Sequence, residues 1–303
     1  MLAGCAAHRS ALARKAGTRE SASGGQATPL EAYIAKVRQL TLEARPPRQN
    51  DAVTLERSDP ALAAARLLLA AAPTGDNHRR VAEAYARLGV RDAAFDHFTA
   101  ALHLNPRDAA AIDGLARVWR DWGFPQRALG HAYRAIAFAP GAPAPRNTLG
   151  TVLVSLGQPA AARAAFERAL ALDRGAAYVL NNLCYALLLE GDAAGAVARC
   201  RAALDVDPSL QAARNNLALA YATAGDFDAA SREFLRGGDA ASERYNMGVA
   251  LFAMRRYHEA AAAFDAAAAL RPSLELAQQR AQRARELAAV EDSIPRVPQP
   301  ENR

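Results

Sequence analysis

The sequence is short of the residues that most chemistry needs. Its 303 residues include two lysines (Lys15 and Lys36), three cysteines and six histidines, and only 6% of the side chains are aromatic. The cysteines, Cys5, Cys184 and Cys200, are not spaced as metal ligands, and the histidines are scattered. There is no H-E-x-x-H, no phosphate-binding G-x-x-x-x-G-K, no G-x-S-x-G and no glycine fingerprint after a strand. No metal, cofactor or catalytic residue is therefore expected. No run approaches the ~18 apolar residues of a membrane span. Strand signals are missing too, because β-branched runs are short and lie inside helical periodicity.

Basic charge is also scarce where a fold could use it. The net charge is +6, but residues 1–50 hold eight Arg or Lys against three Glu, a net +5, which leaves +1 for everything after them. Phosphate backbones are held by basic faces that displace counterions. The body of the chain has no surplus to build one, so nucleic acid is not an expected partner.

Alanine, arginine and a strict period are what the sequence has in abundance. Gly89, Gly123, Gly157, Gly191 and Gly225 stand thirty-four residues apart, each followed five residues later by alanine: Ala94, Ala128, Ala162, Ala196 and Ala230. Pro106, Pro140 and Pro208 keep the same period, with Arg174 in the remaining slot. Glycine ends a helix because it tolerates φ > 0, and proline cannot continue one from within. The unit is thus two helices joined by a tight turn. One such hairpin cannot bury its own apolar face, so neighbours must stack.

A thirty-four-residue unit with this punctuation resembles the tetratricopeptide repeat. The resemblance covers residues 75–272 and is carried best by "AYARLGVRDAAFDHFTAALHLNP", ending at Pro106; the family's tryptophan is absent. It implies an all-α solenoid, a right-handed superhelix of helix hairpins with a concave channel. Six repeats are expected over 75–274: 75–108, 109–142, 143–176, 177–210, 211–240 and 241–274. Small residues recur at repeat position 8 (Ala82, Ala116, Gly150, Cys184, Ala218, Gly248), and phenylalanines at position 24 (Phe98, Phe166, Phe234, Phe264) should pack under the next repeat. The fifth repeat is four residues short after Phe234, about one helical turn, so phase is kept. Gly237 and Gly238 should shorten its second helix. Loops absorb such changes readily, which favours a tolerated deletion over a hinge.

Residues 275–290 read as a capping helix and 291–303 as a disordered tail. Upstream, 29–74 looks like a divergent first repeat, with "PLEAYIAKVRQLTLEA" and "DPALAAARLLLAAAP" as its helices. Residues 1–28 read as a flexible tether.

The family's concave face is lined by positions 2, 5, 6, 9 and 12 of the first helix. Carried over, the resemblance implies a peptide groove of Asn147, Thr151, Tyr178, Asn181, Asn182, Tyr185, Leu188, Asn215, Asn216, Leu219, Tyr245, Asn246, Val249 and Phe252. Its N-terminal half carries Arg79, Glu83, Asp113, Arg117 and Arg120 instead. An asparagine side chain both donates and accepts, so a row of them can pair with the backbone of an extended peptide. The competing reading is a structural ladder that satisfies groups between repeats. Interleaved Tyr and Phe favour the groove, since a ladder does not need them. The Lys–Asn clamp with which relatives grip chaperone C-termini is absent: Asp113 and Arg117 stand where it would want Lys and Asn.

The expected function is a non-enzymatic scaffold that takes a protein or peptide partner. The competing class is the substrate-feeding part of a transferase. About thirty residues follow the last repeat, short of a domain's ~50, which counts against it. A third reading is a self-assembler whose groove takes the tail of a neighbouring copy.

The opening Leu2-Ala3-Gly4-Cys5 resembles the lipobox at which bacterial lipoproteins are cut and lipidated, here on Cys5. Only Met1 precedes it, whereas a signal peptide needs a basic and an apolar region ahead of the site. The reading therefore requires an upstream start codon; its alternative is a chance match and a cytoplasmic adaptor. With the anchor at Cys5 as the only membrane contact, the chain would be an envelope lipoprotein, similar in architecture to the tetratricopeptide lipoproteins of tight-adherence or type IV pilus assembly. Cys184 and Cys200 lie at positions 8 and 24 of one hairpin, on facing helices. They are read as two small buried apolar side chains. A disulfide is the alternative, and needs Cα atoms within about 7 Å and an oxidising compartment.

Overall fold

A computed structural model describes residues 59–293. The tether, Cys5, the first helix of the divergent repeat and the end of the tail lie outside the described residues. Within them the chain is helical, with α1 (Pro60–Ala71) leading into six helix pairs. These are α2 and α3 (Gly75–Arg87, Arg91–Leu104), α4 and α5 (Ala109–Asp121, Pro125–Phe138), and α6 and α7 (Pro143–Ser155, Pro159–Leu172). They continue with α8 and α9 (Ala177–Glu190, Ala193–Val206), α10 and α11 (Gln211–Thr223, Phe227–Gly237), and α12 and α13 (Ala240–Ala253, Tyr257–Leu270). The last helix, α14 (Glu275–Asp292), packs on α13 through a row of buried alanines, Ala277, Ala281, Ala284 and Ala288.

The turns inside the pairs are built alike. All five periodic glycines have positive φ, between 71° and 86°. In each pair the residue after the turn donates its N–H back across the helix end: Val90 to Tyr85, Phe124 to Trp119, Gln158 to Leu153, Asp192 to Leu187, Asp226 to Tyr221 and Arg256 to Leu251. This six-to-one bond satisfies a carbonyl that the helix leaves unpaired. In the sixth pair the left-handed position belongs to Arg255, at φ 61°, with no glycine to relieve it. The prolines act at the other end: α3, α5 and α9 stop two residues before Pro106, Pro140 and Pro208.

Packing follows from residue size. A Cβ on Gly150 would come within 2.3 Å of the Phe166 ring, and one on Gly248 within 2.8 Å of Phe264. In these repeats the ring at position 24 therefore fills the space left at position 8 of its own hairpin. Phe98 differs, since its ring would meet a Cβ on Gly114 of the next repeat at 2.2 Å. Packing under the next repeat thus holds for Phe98, while Phe166 and Phe264 pack within their own pair. All three rings are fully buried.

The fourth repeat replaces the small–large pair by a covalent one. Cys184 and Cys200 form a disulfide, with S–S 2.10 Å and Cα–Cα 5.4 Å. The expectation of two free buried thiols is corrected here. The hairpin brings positions 8 and 24 together, and two sulfurs bridge a space that a phenyl ring fills elsewhere.

The first helix of each pair packs directly on the first helix of the next, from α2 and α4 through to α10 and α12, and no comparable packing joins the second helices. The first helices therefore crowd the inner side of the curve, which sets their outward-facing residues along one concave face. The fifth pair breaks the pattern: α11 has 11 residues against 14 in α9 and α13.

Candidate functional site

Positions 5 and 6 of the first helices meet across repeat boundaries. The side-chain N–H of Asn182 donates to Oδ1 of Asn147 at 2.8 Å, and that of Asn216 donates to Oδ1 of Asn181 at 2.9 Å. Each rung joins position 6 of one repeat to position 5 of the repeat before it. One repeat earlier the hydroxyl of Thr148 stands on the Asp113 carboxylate in the same relation. The amides that sequence reasoning assigned to a ligand thus hold α6, α8 and α10 together. Every rung consumes one donor and one acceptor, and an asparagine side chain offers more than that. The four asparagines of the two rungs are half-buried, and each makes only one side-chain hydrogen bond among the described residues.

The aromatic residues divide. Tyr178 is exposed, and burial together with the Asp173 and Asp113 carboxylates pushes its hydroxyl pKa up. Tyr185 is half-buried. Tyr245 lies against Phe264 at 5.6 Å and under the Arg280 guanidinium at 5.1 Å. Burial raises its pKa and the Arg280 charge opposes that. Phe252 meets Tyr257 edge-on at 5.2 Å. Leu219 and Val249 are half-buried against the core. Leu188 does not line the face: it is 1% exposed and belongs to the core, because α8 is flanked closely by α6 and α10.

The charged half of the groove is paired within itself. Arg79 is shared among Asp76, Glu83 at 2.9 Å and Asp108 at 3.3 Å. Arg120 bonds Asp121 and donates to the Thr151 hydroxyl at 2.6 Å, and that hydroxyl donates to the Thr148 carbonyl at 2.8 Å. Asp113 is 5% exposed and so is not a surface charge. Burial pushes its pKa up, against the pull of Arg117, whose Nε lies 3.2 Å away, and of Thr148 and Arg120. Arg79, Arg117 and Arg120 therefore present no row of unpaired cations, as the even charge of the body foreshadows.

Sequence reasoning missed Thr148, Gln211 and Arg280. Thr148 sits at position 6, the position of the asparagines, so its phase could have pointed to it. Gln211 and Arg280 join only through tertiary contacts. No helix among the described residues is long and apolar enough to cross a membrane.

A helical-repeat solenoid with a polar, aromatic-flanked concave face is a recognisable class of protein. The family model for the tetratricopeptide repeat matches residues 146–175 and 244–274. The fold is that of a tetratricopeptide-repeat solenoid. No curated protein matches the sequence. Among solved structures, the Cut9–Hcn1 hetero-tetramer of the APC/C is similar over 84% of this chain at 19% identity and a TM-score of 0.62. This chain spans 53% of that one, about half its length. PilW, described as a widely conserved type IV pilus biogenesis factor, is similar over 68% of this chain and 97% of its own at 20% identity and a TM-score of 0.57. A tetratricopeptide repeat protein from Parabacteroides merdae is similar over 84% and 98% at 14% identity and a TM-score of 0.54. At these identities the likeness is one of fold. The repeats support a protein-interaction scaffold.

Proposed function

We propose that the chain is a non-enzymatic adaptor that holds an extended polypeptide segment along the face running from Asn147 to Phe252. The observation that carries this reading is the row of amides at positions 5 and 6, bonded in rungs yet not saturated, with Tyr178, Tyr245 and Phe252 on the same set of first helices. Such a row reads backbone rather than side chains, while the rings supply apolar area. A net hydrogen bond contributes only about 1 kcal/mol, so the aromatic residues set most of the affinity. The test is a display selection for peptides that bind the full chain, followed by calorimetry on selected peptides with and without backbone N-methylation. Loss of binding on N-methylation supports the reading, and indifference to it removes the backbone-reading role.

We further propose that the adaptor works outside the cytoplasm, as an envelope lipoprotein anchored at Cys5. The buried Cys184–Cys200 disulfide favours this, since such bonds persist in oxidising compartments. The likeness to PilW makes pilus or secretion-system assembly the first place to look for partners. Expression from the native locus with its upstream DNA, followed by mass analysis of the mature N-terminus, decides it. An acylated Cys5 supports the envelope; an unmodified Met1 in the soluble fraction leaves a cytoplasmic adaptor.

A further inference from the structure

The ladder has a break. Asn147 and Asn182, and Asn181 and Asn216, are bonded across thirty-five residues of sequence. The next rung would join Asn215 to Asn246, thirty-one residues apart, and those two side chains are not hydrogen-bonded to each other. Oδ1 of Asn215 instead accepts from Nε2 of Gln211 at 2.9 Å, within its own helix. Among the described residues Asn215 donates to nothing, and Asn246 makes no side-chain hydrogen bond.

The short α11 explains the break. It ends at Gly237, and a Cβ there would lie 2.0 Å from Nε2 of Gln211 and 3.4 Å from Oδ1 of Asn215. The end of α11 thus comes up against the pair that elsewhere would reach the following repeat. Asn215 is consequently exposed, while its counterparts Asn147 and Asn181 are half-buried. The four-residue deletion preserves helical phase, as a turn's length predicts. It still changes what position 5 can touch.

Resting on the reading of the concave face as a backbone-binding surface, we infer that this broken rung is where the partner is anchored. One peptide unit of an extended segment replaces the missing bond: its carbonyl accepts from Nδ2 of Asn215 and its N–H donates to Oδ1 of Asn246. A neutral amide suits the site better than an anion. Arg214 and Arg236 share Glu233, at 3.1 and 2.6 Å, and Arg244 lies 3.3 Å from Glu243, so each of the three cations already has an anionic partner and two of the three charges are offset. The intact rungs then act as scaffold, and the amides at the irregular repeat act in recognition.

The experiment uses the full chain with 15N-labelled asparagine and follows the side-chain NH2 signals while N-acetyl-trialanine N-methylamide is added to tens of millimolar. Saturable shifts confined to Asn215 and Asn246, weakened at least tenfold in Asn246→Ala, are the expected result. Shifts centred on Asn147, Asn181, Asn182 or Asn216 would overturn the broken-rung anchor and leave the backbone-binding groove standing. No shift at any asparagine would overturn both. Inserting four residues after Gly237, to restore the thirty-four-residue period, gives a second readout: the anchor predicts loss of the shifts in a chain that still folds by circular dichroism, and retained shifts count against it.

Discussion

Cys184 and Cys200 are bonded at the two positions that Gly150 and Phe166 occupy one repeat earlier. The same point of the hairpin is thus closed by an aromatic ring in one repeat and by a covalent bond in the next. The bond joins α8 to α9 in the middle of the array, where both side chains are fully buried.

Its removal should be costly. The cysteines are 16 residues apart in sequence, and in the chain-entropy account closing a loop of about 15 residues stabilises by roughly 3 kcal/mol. Replacing both cysteines by serine also leaves two hydroxyls in the core. Urea denaturation should show a loss of about 3 kcal/mol or more, and reductant should lower the midpoint of the wild type but not of the variant. A midpoint insensitive to reductant would mean that the bond does not form.

The sixth turn should be improvable. Arg255 occupies a left-handed conformation that costs a non-glycine residue about 1 kcal/mol. Its ion pair with Glu291, at 3.9 Å and on the surface, contributes little. Arg255→Gly is therefore expected to stabilise by about 0.5–1 kcal/mol, less than the full strain because glycine also frees the unfolded chain. Thermal unfolding of the two proteins checks it, and a lower midpoint for the variant would refute it.

The reverse change should do damage at Gly150. A methyl there meets the Phe166 ring at 2.3 Å, and that ring is fully buried with no room to retreat. Gly150→Ala should destabilise by about 1–3 kcal/mol through overpacking, despite alanine's better helix propensity. Adding Phe166→Leu should recover part of the loss, which a propensity effect would not allow.

Asp113 predicts a dependence on pH. Its folded pKa is raised by burial, against Arg117, Thr148 and Arg120. A carboxyl with a raised folded pKa favours the fold while protonated, and that contribution is lost as pH rises through the folded value. At pH 7 the ionised group therefore costs stability. Asp113→Asn should raise the melting temperature at pH 7, and the advantage should shrink as pH falls through the raised folded value and be gone below about 4. Arg117 is on the accessible side of the pair and can turn to solvent. An advantage equal at both pH values would rule out the burial penalty as its cause.

The rungs can be separated from the break by double-mutant cycles. Alanine at Asn147 and Asn182 should reveal a coupling of about 1 kcal/mol in stability. The same cycle at Asn215 and Asn246 should give a value near zero. Coupling at the second pair as large as at the first would mean that the missing asparagine rung closes in solution.

Periodicity made the solenoid legible. Turn glycines, helix-stopping prolines and the alternation of small and large side chains at positions 8 and 24 each have a local cause, and each recurs at thirty-four residues. The groove was legible only in part. Helical phase placed Asn147, Asn181 and Asn215 on one side of their helices, but it carries no information about what faces them.

What the sequence determined by itself was therefore the repeat, its two helices and the common phase of positions 5 and 6, because these depend on angles within a helix and on backbone preferences of single residues; their place on a concave face came only from the family resemblance. The tertiary structure alone decided that Asn182 bonds Asn147, that Leu188 and Asp113 are covered, that Cys184 meets Cys200, and that the ladder stops at Asn215. Each of those depends on the distance between helices of neighbouring or paired elements. The ladder stops where α11, three residues shorter than α9, ends at Gly237 against Gln211 and Asn215.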